Sequence, residues 1–301
     1  MLFLLIACHL LFLLFWIRIW SAPEREFYFN PFLSGTITLT DRILVFLRPA
    51  LYLPEQVASL VILAVLILFK TLLFMRLNFD WQMTLGTYFR FAPHGHAEHL
   101  LPLLVFSLLQ TLLFLVRLWT VYFLVRLITP QVHPSRATEA FAFFSRPFSK
   151  LPFIFQPVAL LVLHGVLAFL FTRIGVPQLQ SQTPDALPTL VQSPFVSGSL
   201  LAQTLRISWL AALSFSDGLM LLTRSLFVLI IGNLIASLLH ARGALILCSE
   251  GADMLMGRFA RRATGGMGFD FTPLIYFFVV DFMYNGICRV LYELIHSPLL
   301  S

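Results

Sequence analysis

The sequence predicts an all-α integral membrane protein, a helical bundle of about six transmembrane helices arranged in three helix–loop–helix hairpins. Three observations lead to this prediction: a low content of charge, six long apolar stretches, and a concentration of basic residues in alternate loops. Hydrophobic residues make up 59% of the chain and charged residues only 11%, whereas soluble domains contain about 25% charged residues. A surface with so little charge is suited to lipid.

The apolar stretches are long enough to cross a membrane, because a helix of about 20 apolar residues spans the hydrocarbon core. They cover residues 2–20, 57–77, 101–128, 152–173, 219–241 and 272–293. The first is interpreted as an uncleaved helix, since it lacks the basic start of a signal peptide. A shorter stretch, residues 199–215, is interrupted by Arg206 and is expected to lie at the membrane interface.

Basic side chains are concentrated in alternate loops. Ten Lys and Arg residues occur in loops 21–56, 130–151 and 242–271, against one, Arg90, in the other loops and the C-terminal tail. Because cytoplasmic loops carry the excess of basic residues, both termini are expected outside the cytoplasm, with a bacterial inner membrane as the location. These loops also explain the net charge of +6, so no nucleic-acid partner is predicted.

The chain is expected to divide into four segments. They are a first hairpin with an outer loop (1–100), a second hairpin (101–174), an outer linker with the interfacial helix (175–218) and a third hairpin (219–301). Matching patterns recur in register, such as Arg117 within LLFLVRLWTVYFL and Arg224 within LMLLTRSLFVLII. Repeats of this kind indicate that one hairpin was triplicated.

The third basic loop carries the sharpest local pattern, within residues 250–283. A basic stretch is followed there by a glycine-rich entry into the last helix, and the residues of the pattern are Arg258, Arg261, Arg262, Gly266, Asp270, Thr272 and Pro273. These residues resemble the YggT family of small membrane proteins in bacteria and plastids. The resemblance implies a non-catalytic membrane protein with a role in the assembly of membrane complexes, and it supplies no catalytic residues.

The same pattern has a direct physical interpretation. Asp270 or Thr272 is expected to cap the helix that Pro273 opens, because short polar side chains accept hydrogen bonds from first-turn N–H groups and proline suits that turn. The alternative is a binding loop, in which the three arginines contact lipid phosphates.

Ionisable residues inside the spans are functional-site candidates by default. Arg117 and Asp281 fall at a similar depth and are predicted to form an ion pair between the third and sixth spans. Arg224 lies near the outer end and is expected to snorkel. An alternative function is a small channel or transporter with a polar path near Lys70, Arg117 and Asp281, although matching midspan Gly or Pro breaks are lacking.

Histidines provide the remaining candidates. His94, His96 and His99 in PHGHAEH are either a site for a divalent metal or part of an ordinary wet loop. His9 and His164 lie at a similar depth in two spans, where they either hold a haem or chlorophyll or are satisfied interior side chains. The expectation is that no cofactor is bound, with these sites as the alternatives.

Enzyme signatures are missing from the sequence, which contains no phosphate loop, dinucleotide fingerprint, HExxH or GxSxG. The predicted function is therefore non-catalytic: a YggT-like accessory or assembly subunit that packs against a larger membrane complex. Its expected partners are the lipid bilayer and other membrane-protein subunits. The alternatives are the channel or transporter and a haem- or pigment-binding subunit.

Overall fold

The structure is a computed structural model that describes residues 2–21, 30–51, 54–76, 83–86, 89–93, 100–129, 135–179, 199–257 and 272–296. Within these ranges the chain forms nine α-helices and three short strands. In chain order they are α1 (Leu2–Ser21), α2 (Pro31–Leu51), α3 (Glu55–Arg76), β1 (Met83–Leu85), β2 (Phe89–Pro93), α4 (Leu100–Ile128), α5 (Arg136–Phe144), α6 (Gln156–Ile174), β3 (Gly175–Leu179), α7 (Leu200–Leu238), α8 (Arg242–Met256) and α9 (Thr272–Ile295).

The predicted class is confirmed: the molecule is an all-α helical membrane bundle. Among the described residues, five helices are long and apolar enough to span a membrane, namely α3, α4, α6, α7 and α9, and α1 adds a shorter apolar segment, Ala7–Trp20. Helices of this composition expose many apolar side chains, such as Phe282 at 80% and Ile154 at 76%. These outward faces are suited to lipid or to other membrane helices.

The spans pack against their neighbours in the chain and across the bundle. Helix α1 packs against α3, α4 against α6, and α7 against α9, while α4 and α7 join the pairs to one another. The largest buried apolar cluster lies among α4, α6, α7 and α9 and includes Phe106, Phe171 and Leu210. A second cluster, with Phe15 and Leu63, joins α1 and α3 to α4.

Helix α7 corrects one prediction. Residues 199–215 were expected to form a separate interfacial helix, ending before a span that begins at 219, but one continuous helix runs from Leu200 to Leu238 and crosses that boundary. Polar residues interrupt the apolar sequence of this region and suggested that the helix ends there. The structure shows instead that Arg206, Ser214 and Asp217 are all buried within the protein. A helix can carry such residues through a membrane when they face the bundle interior.

The three basic loops also contain helices that the hydropathy pattern did not predict. Helices α2, α5 and α8 lie within them, and α5 contacts both α2 and α8. On α2, Leu33, Ile37 and Leu44 are buried while Leu39 and Ile43 are exposed. This spacing is typical of an amphipathic helix with one face on the protein.

A small antiparallel sheet with the strand order β1-β2-β3 lies in what was predicted to be the outer loops. Strand β2 pairs with β1 through Thr84 and Arg90, and with β3 through Phe89 and Leu179. Leu85, Phe89 and Phe91 are almost completely buried. These three side chains of β1 and β2 therefore belong to the packed core.

Candidate functional site

A largely buried ion pair joins two helices of the bundle. The guanidinium of Arg117 on α4 donates to a carboxylate oxygen of Asp217 on α7, and a second contact joins the same guanidinium nitrogen to the carbonyl oxygen of Thr84 at 2.6 Å. The Tyr284 hydroxyl on α9 donates to Asp217 at 3.0 Å. The backbone N–H of Gly86 points at both carboxylate oxygens, at 3.0 and 3.2 Å. These five residues are called the central polar cluster.

Two glycines allow the elements to approach this closely. Gly86 has a φ of +63°, and a Cβ added there would meet the side chain of Leu213 at 2.8 Å. Gly218 follows Asp217 on α7, and a Cβ there would lie 2.5 Å from Thr120 on α4. Neither clash can be relieved by a flexible side-chain end, because both contacts involve branched, buried side chains.

The β1–β2 turn reaches deep into the bundle. Gly86 and Tyr284 both donate hydrogen bonds to Asp217. Tyr284 lies about three helical turns, or about 16 Å, before the end of α9. Non-helical backbone at membrane depth is tolerated only where protein or a water-filled cavity surrounds it. Here Gly86 is buried, and its N–H donates to the carboxylate of Asp217. The nearby carbonyl of Thr84 accepts from the guanidinium of Arg117.

His164 is a satisfied interior histidine that continues this polar region. Its Nδ1 lies 2.8 Å from the hydroxyl of Ser214, and its Nε2 lies 3.0 Å from the hydroxyl of Thr120. His9 has a different environment, with its ring 4.8 Å from that of Phe114. The structure thus gives the two histidines different partners, and both ring nitrogens of His164 are already hydrogen bonded.

The predicted pair between Arg117 and Asp281 is wrong, because Arg117 pairs with Asp217 instead. Arg117 and Asp281 were predicted to pair because they lie at a similar depth, but Asp281 lies on the outward part of α9. It accepts a hydrogen bond from Asn285 at 3.0 Å. One turn further on, Arg289 binds Glu293 at 3.3 Å, and their side chains are 77% and 66% exposed. Asp281, Asn285, Arg289 and Glu293 follow one another every four residues and are called the α9 polar stripe.

The other charged candidates lie apart from this cluster. Lys70 is buried on α3 in a cleft with Cys8 and His9 of α1 and Thr111 of α4. Arg224 is exposed on α7. The structure therefore does not gather Lys70, Arg117 and Asp281 along one path.

Some predicted site residues lie outside the described residues, and their predictions stay untested. They are His94, His96 and His99 of the outer cluster, and Arg258, Arg261, Arg262, Gly266 and Asp270 of the family-like loop. Thr272 and Pro273 are described and form the first turn of α9. In the part of the chain that the structure describes, no group of three His, Cys, Asp or Glu side chains is arranged to hold a metal ion.

Two acidic sites were missed by sequence reasoning. Asp217 was assigned to the outer linker, although a lone carboxylate among the apolar residues of ALSFSDGLM was a usable signal. The second site is on the first hairpin, where the buried guanidinium of Arg18 binds Asp41 at 2.5 Å and Glu55 at 3.2 Å. This ion-pair cluster ties α1 to α2 and α3.

The fold and these sites define a multi-pass α-helical membrane protein whose ionisable residues are partly paired inside the bundle. Comparisons with family models, curated proteins and solved structures find no match to the chain.

Proposed function

We propose that this protein is a non-catalytic, YggT-like accessory or assembly subunit that packs against a larger membrane complex through α9. The observation that carries the proposal is the α9 polar stripe, which is turned outward on a helix long and apolar enough to span the membrane. Asn285 and Arg289 are exposed, and Asp281 is partly exposed. Residues of this kind are rare at a lipid-facing surface and usually face protein or water.

The depth of the stripe supports a protein partner. Asp281 lies about 14 Å from the start of α9 and Asn285 about 15 Å from its end, which places both near the middle of the span. An aspartate at the centre of a membrane helix costs about 2.5–3.5 kcal/mol on an insertion scale. A neighbouring helix with hydrogen-bond donors would offset that cost, whereas acyl chains offer no donor.

Small and aromatic residues beside the stripe complete a surface suited to helix packing. Gly286 is exposed, and a Cβ there would meet nothing within 4 Å. Phe282, about one turn before Gly286, is 80% exposed, and Phe278, about one turn earlier still, is 61% exposed. Membrane helix interfaces combine small residues, which let backbones approach, with polar groups that bond across the contact.

The test is purification of the tagged chain from its native membranes in mild detergent, with quantitative mass spectrometry of the proteins that accompany it. A near-equimolar membrane protein is expected with the wild type, and its recovery is expected to fall severalfold with Asn285→Leu. Ser208→Leu is the matched control, because Ser208 is an exposed polar residue on another spanning helix, α7. A wild type that purifies alone or only with copies of itself, or a partner recovered equally with Asn285→Leu, would contradict the proposal.

A second candidate function is transport, favoured by one observation: non-helical backbone reaches membrane depth at Gly86 beside the Arg117–Asp217 pair. Re-entrant segments of this kind occur in channels and transporters, where they line a cavity. The test is ion flux in proteoliposomes with Tyr284→Phe, which removes only the hydroxyl that donates to Asp217. Wild-type flux that is lost in a stable variant supports transport, and a wild type without flux argues against it.

A further inference from the structure

A cleft between α1, α3 and α4 contains a buried lysine, Lys70, for which the described residues supply no counter-ion. Its polar lining consists of Cys8, His9, Lys70 and Thr111, with three apolar side chains between them. Lys70 exposes only 4% of its surface, and its Nζ has no hydrogen-bond partner among the described residues. Leaving a buried ammonium unpaired is expensive, since its lost hydration is not replaced.

The three helices that form the cleft contain almost no acidic residues. Helices α1 and α4 have none, and the sole carboxylate of α3 belongs to Glu55. Glu55 is about 22 Å from Lys70 along the helix axis, and it binds Arg18. Within these helices, therefore, no carboxylate can neutralise Lys70.

The hydroxyl groups on the neighbouring face of α4 do not neutralise Lys70. The hydroxyl of Thr111 donates to the backbone carbonyl of Ser107, one turn earlier on the same face of α4. The Ser107 hydroxyl is itself buried and has no partner among the described residues. A buried ammonium that lines a cleft favours a ligand that accepts hydrogen bonds and carries negative charge.

The position of the cleft suits a ligand from the membrane surface. Lys70 lies about two turns, or about 9 Å, before the end of α3 at Arg76. A lysine near the end of a span is within reach of the headgroup region. Beside it, α3 exposes Phe69 at 50% and Leu72 at 43%, which provides apolar surface for acyl chains.

We propose that this cleft is a binding site for a phosphate oxyanion, with Lys70 as the charged group that holds it. The oxyanion is carried by an anionic phospholipid or is free phosphate, and the two sources present the same chemistry to Lys70. Because the site lies on α1, α3 and α4, it is independent of the α9 polar stripe and of the function proposed for it.

The test uses the purified, delipidated full chain and follows its thermal unfolding with added phosphatidylglycerol, phosphatidylcholine or inorganic phosphate. Phosphatidylglycerol is expected to raise the melting temperature by several degrees more than phosphatidylcholine. Lys70→Met is expected to abolish that difference, and Lys70→Arg to keep part of it. The matched control is Lys150→Met, because Lys150 is exposed and lies outside the cleft.

Two further results make the test decisive. Without ligand, Lys70→Met is expected to unfold at the same or a higher temperature, because it removes an uncompensated buried charge, so loss of folding does not explain a lost response. Native mass spectrometry is expected to retain one phosphatidylglycerol on the wild type and none on Lys70→Met. A stabilising effect of inorganic phosphate that depends on Lys70 would identify the free anion as the source. Equal responses in wild type and Lys70→Met, or no response in the wild type, would overturn the proposal.

Discussion

Gly86, in the turn between two short strands, donates its backbone N–H to the carboxylate of Asp217, which is buried on a spanning helix. The same carboxylate binds Arg117 and Tyr284, so one side chain joins α4, α7, α9 and the strand turn. A buried carboxylate needs this degree of compensation, because its desolvation is otherwise too costly. The central polar cluster therefore determines how the second and third helix pairs meet.

Removing one member of the ion pair is expected to destabilise the protein strongly. Arg117→Met or Asp217→Asn should each cost about 3–5 kcal/mol, because each leaves a charge inside the bundle without its counter-ion. The double variant should be more stable than the sum of the two single effects predicts. The measurement is thermal unfolding in detergent, with Arg224→Met as the control, since Arg224 is exposed. Strictly additive effects would show that the two residues do not interact.

Gly86→Ala is expected to lower the melting temperature. The residue has a positive φ, and the added Cβ would meet Leu213 at 2.8 Å, so both backbone strain and overpacking act against it. Gly165→Ala on α6 is the control, because a Cβ there meets nothing within 4 Å and alanine is the better helix former. If the two variants melt at the same temperature, Gly86 does not pack in the bundle as described.

Arg18→Met tests the ion-pair cluster of the first hairpin. The change removes hydrogen bonds to Asp41 and Glu55, whose side chains are 43% and 37% exposed. The expected loss is about 1.5–3 kcal/mol, the range for a hydrogen bond to a charged group, because water can partly solvate both carboxylates. The exposed Arg42 provides the control variant Arg42→Met, which should unfold like the wild type. A smaller effect for Arg18→Met than for Arg42→Met would contradict this role.

The purified protein is expected to lack haem absorbance. Both ring nitrogens of His164 are hydrogen bonded to hydroxyl groups, at 2.8 and 3.0 Å, and the ring of His9 lies against Phe114. Ligation of haem iron would require one of these nitrogens to be released. An absorption spectrum of protein from native membranes checks this, and a Soret band that disappears with His164→Leu would contradict it.

The sequence predicts the spanning helices well wherever an apolar run is uninterrupted. Helices α1, α3, α4, α6 and α9 all lie within a few residues of the predicted ranges. Helix α7 was divided in two because a hydropathy pattern cannot show whether a polar residue faces lipid or the bundle. Strands β1 to β3 were missed because each has only three to five residues, and their pairing joins distant parts of the chain, such as Phe89 with Leu179.

The candidate site was predicted in part. Arg117 was identified as important, because an arginine inside a span needs a partner, but depth alone did not identify that partner. The depth of a residue in the membrane follows from its position along the helix axis. Whether two residues pair also depends on which face of its helix each one occupies. Asp281 has a suitable depth and points outward, while Tyr284, three residues later, points at Asp217. The sequence did not show that the described residues lining the cleft of Lys70 include no carboxylate.

The outward face of α9 carries the proposed function, so it offers the most direct measurement. A photoreactive phenylalanine analogue placed at position 282, where the native side chain is 80% exposed, would crosslink whatever covers this face in native membranes. The control position is Val162 on α6, which is 58% exposed and has no polar stripe beside it. A discrete protein adduct from position 282, absent from position 162, is the predicted result. Lipid adducts alone from position 282, or the same protein adducts from both positions, would contradict the proposal that α9 packs against a partner.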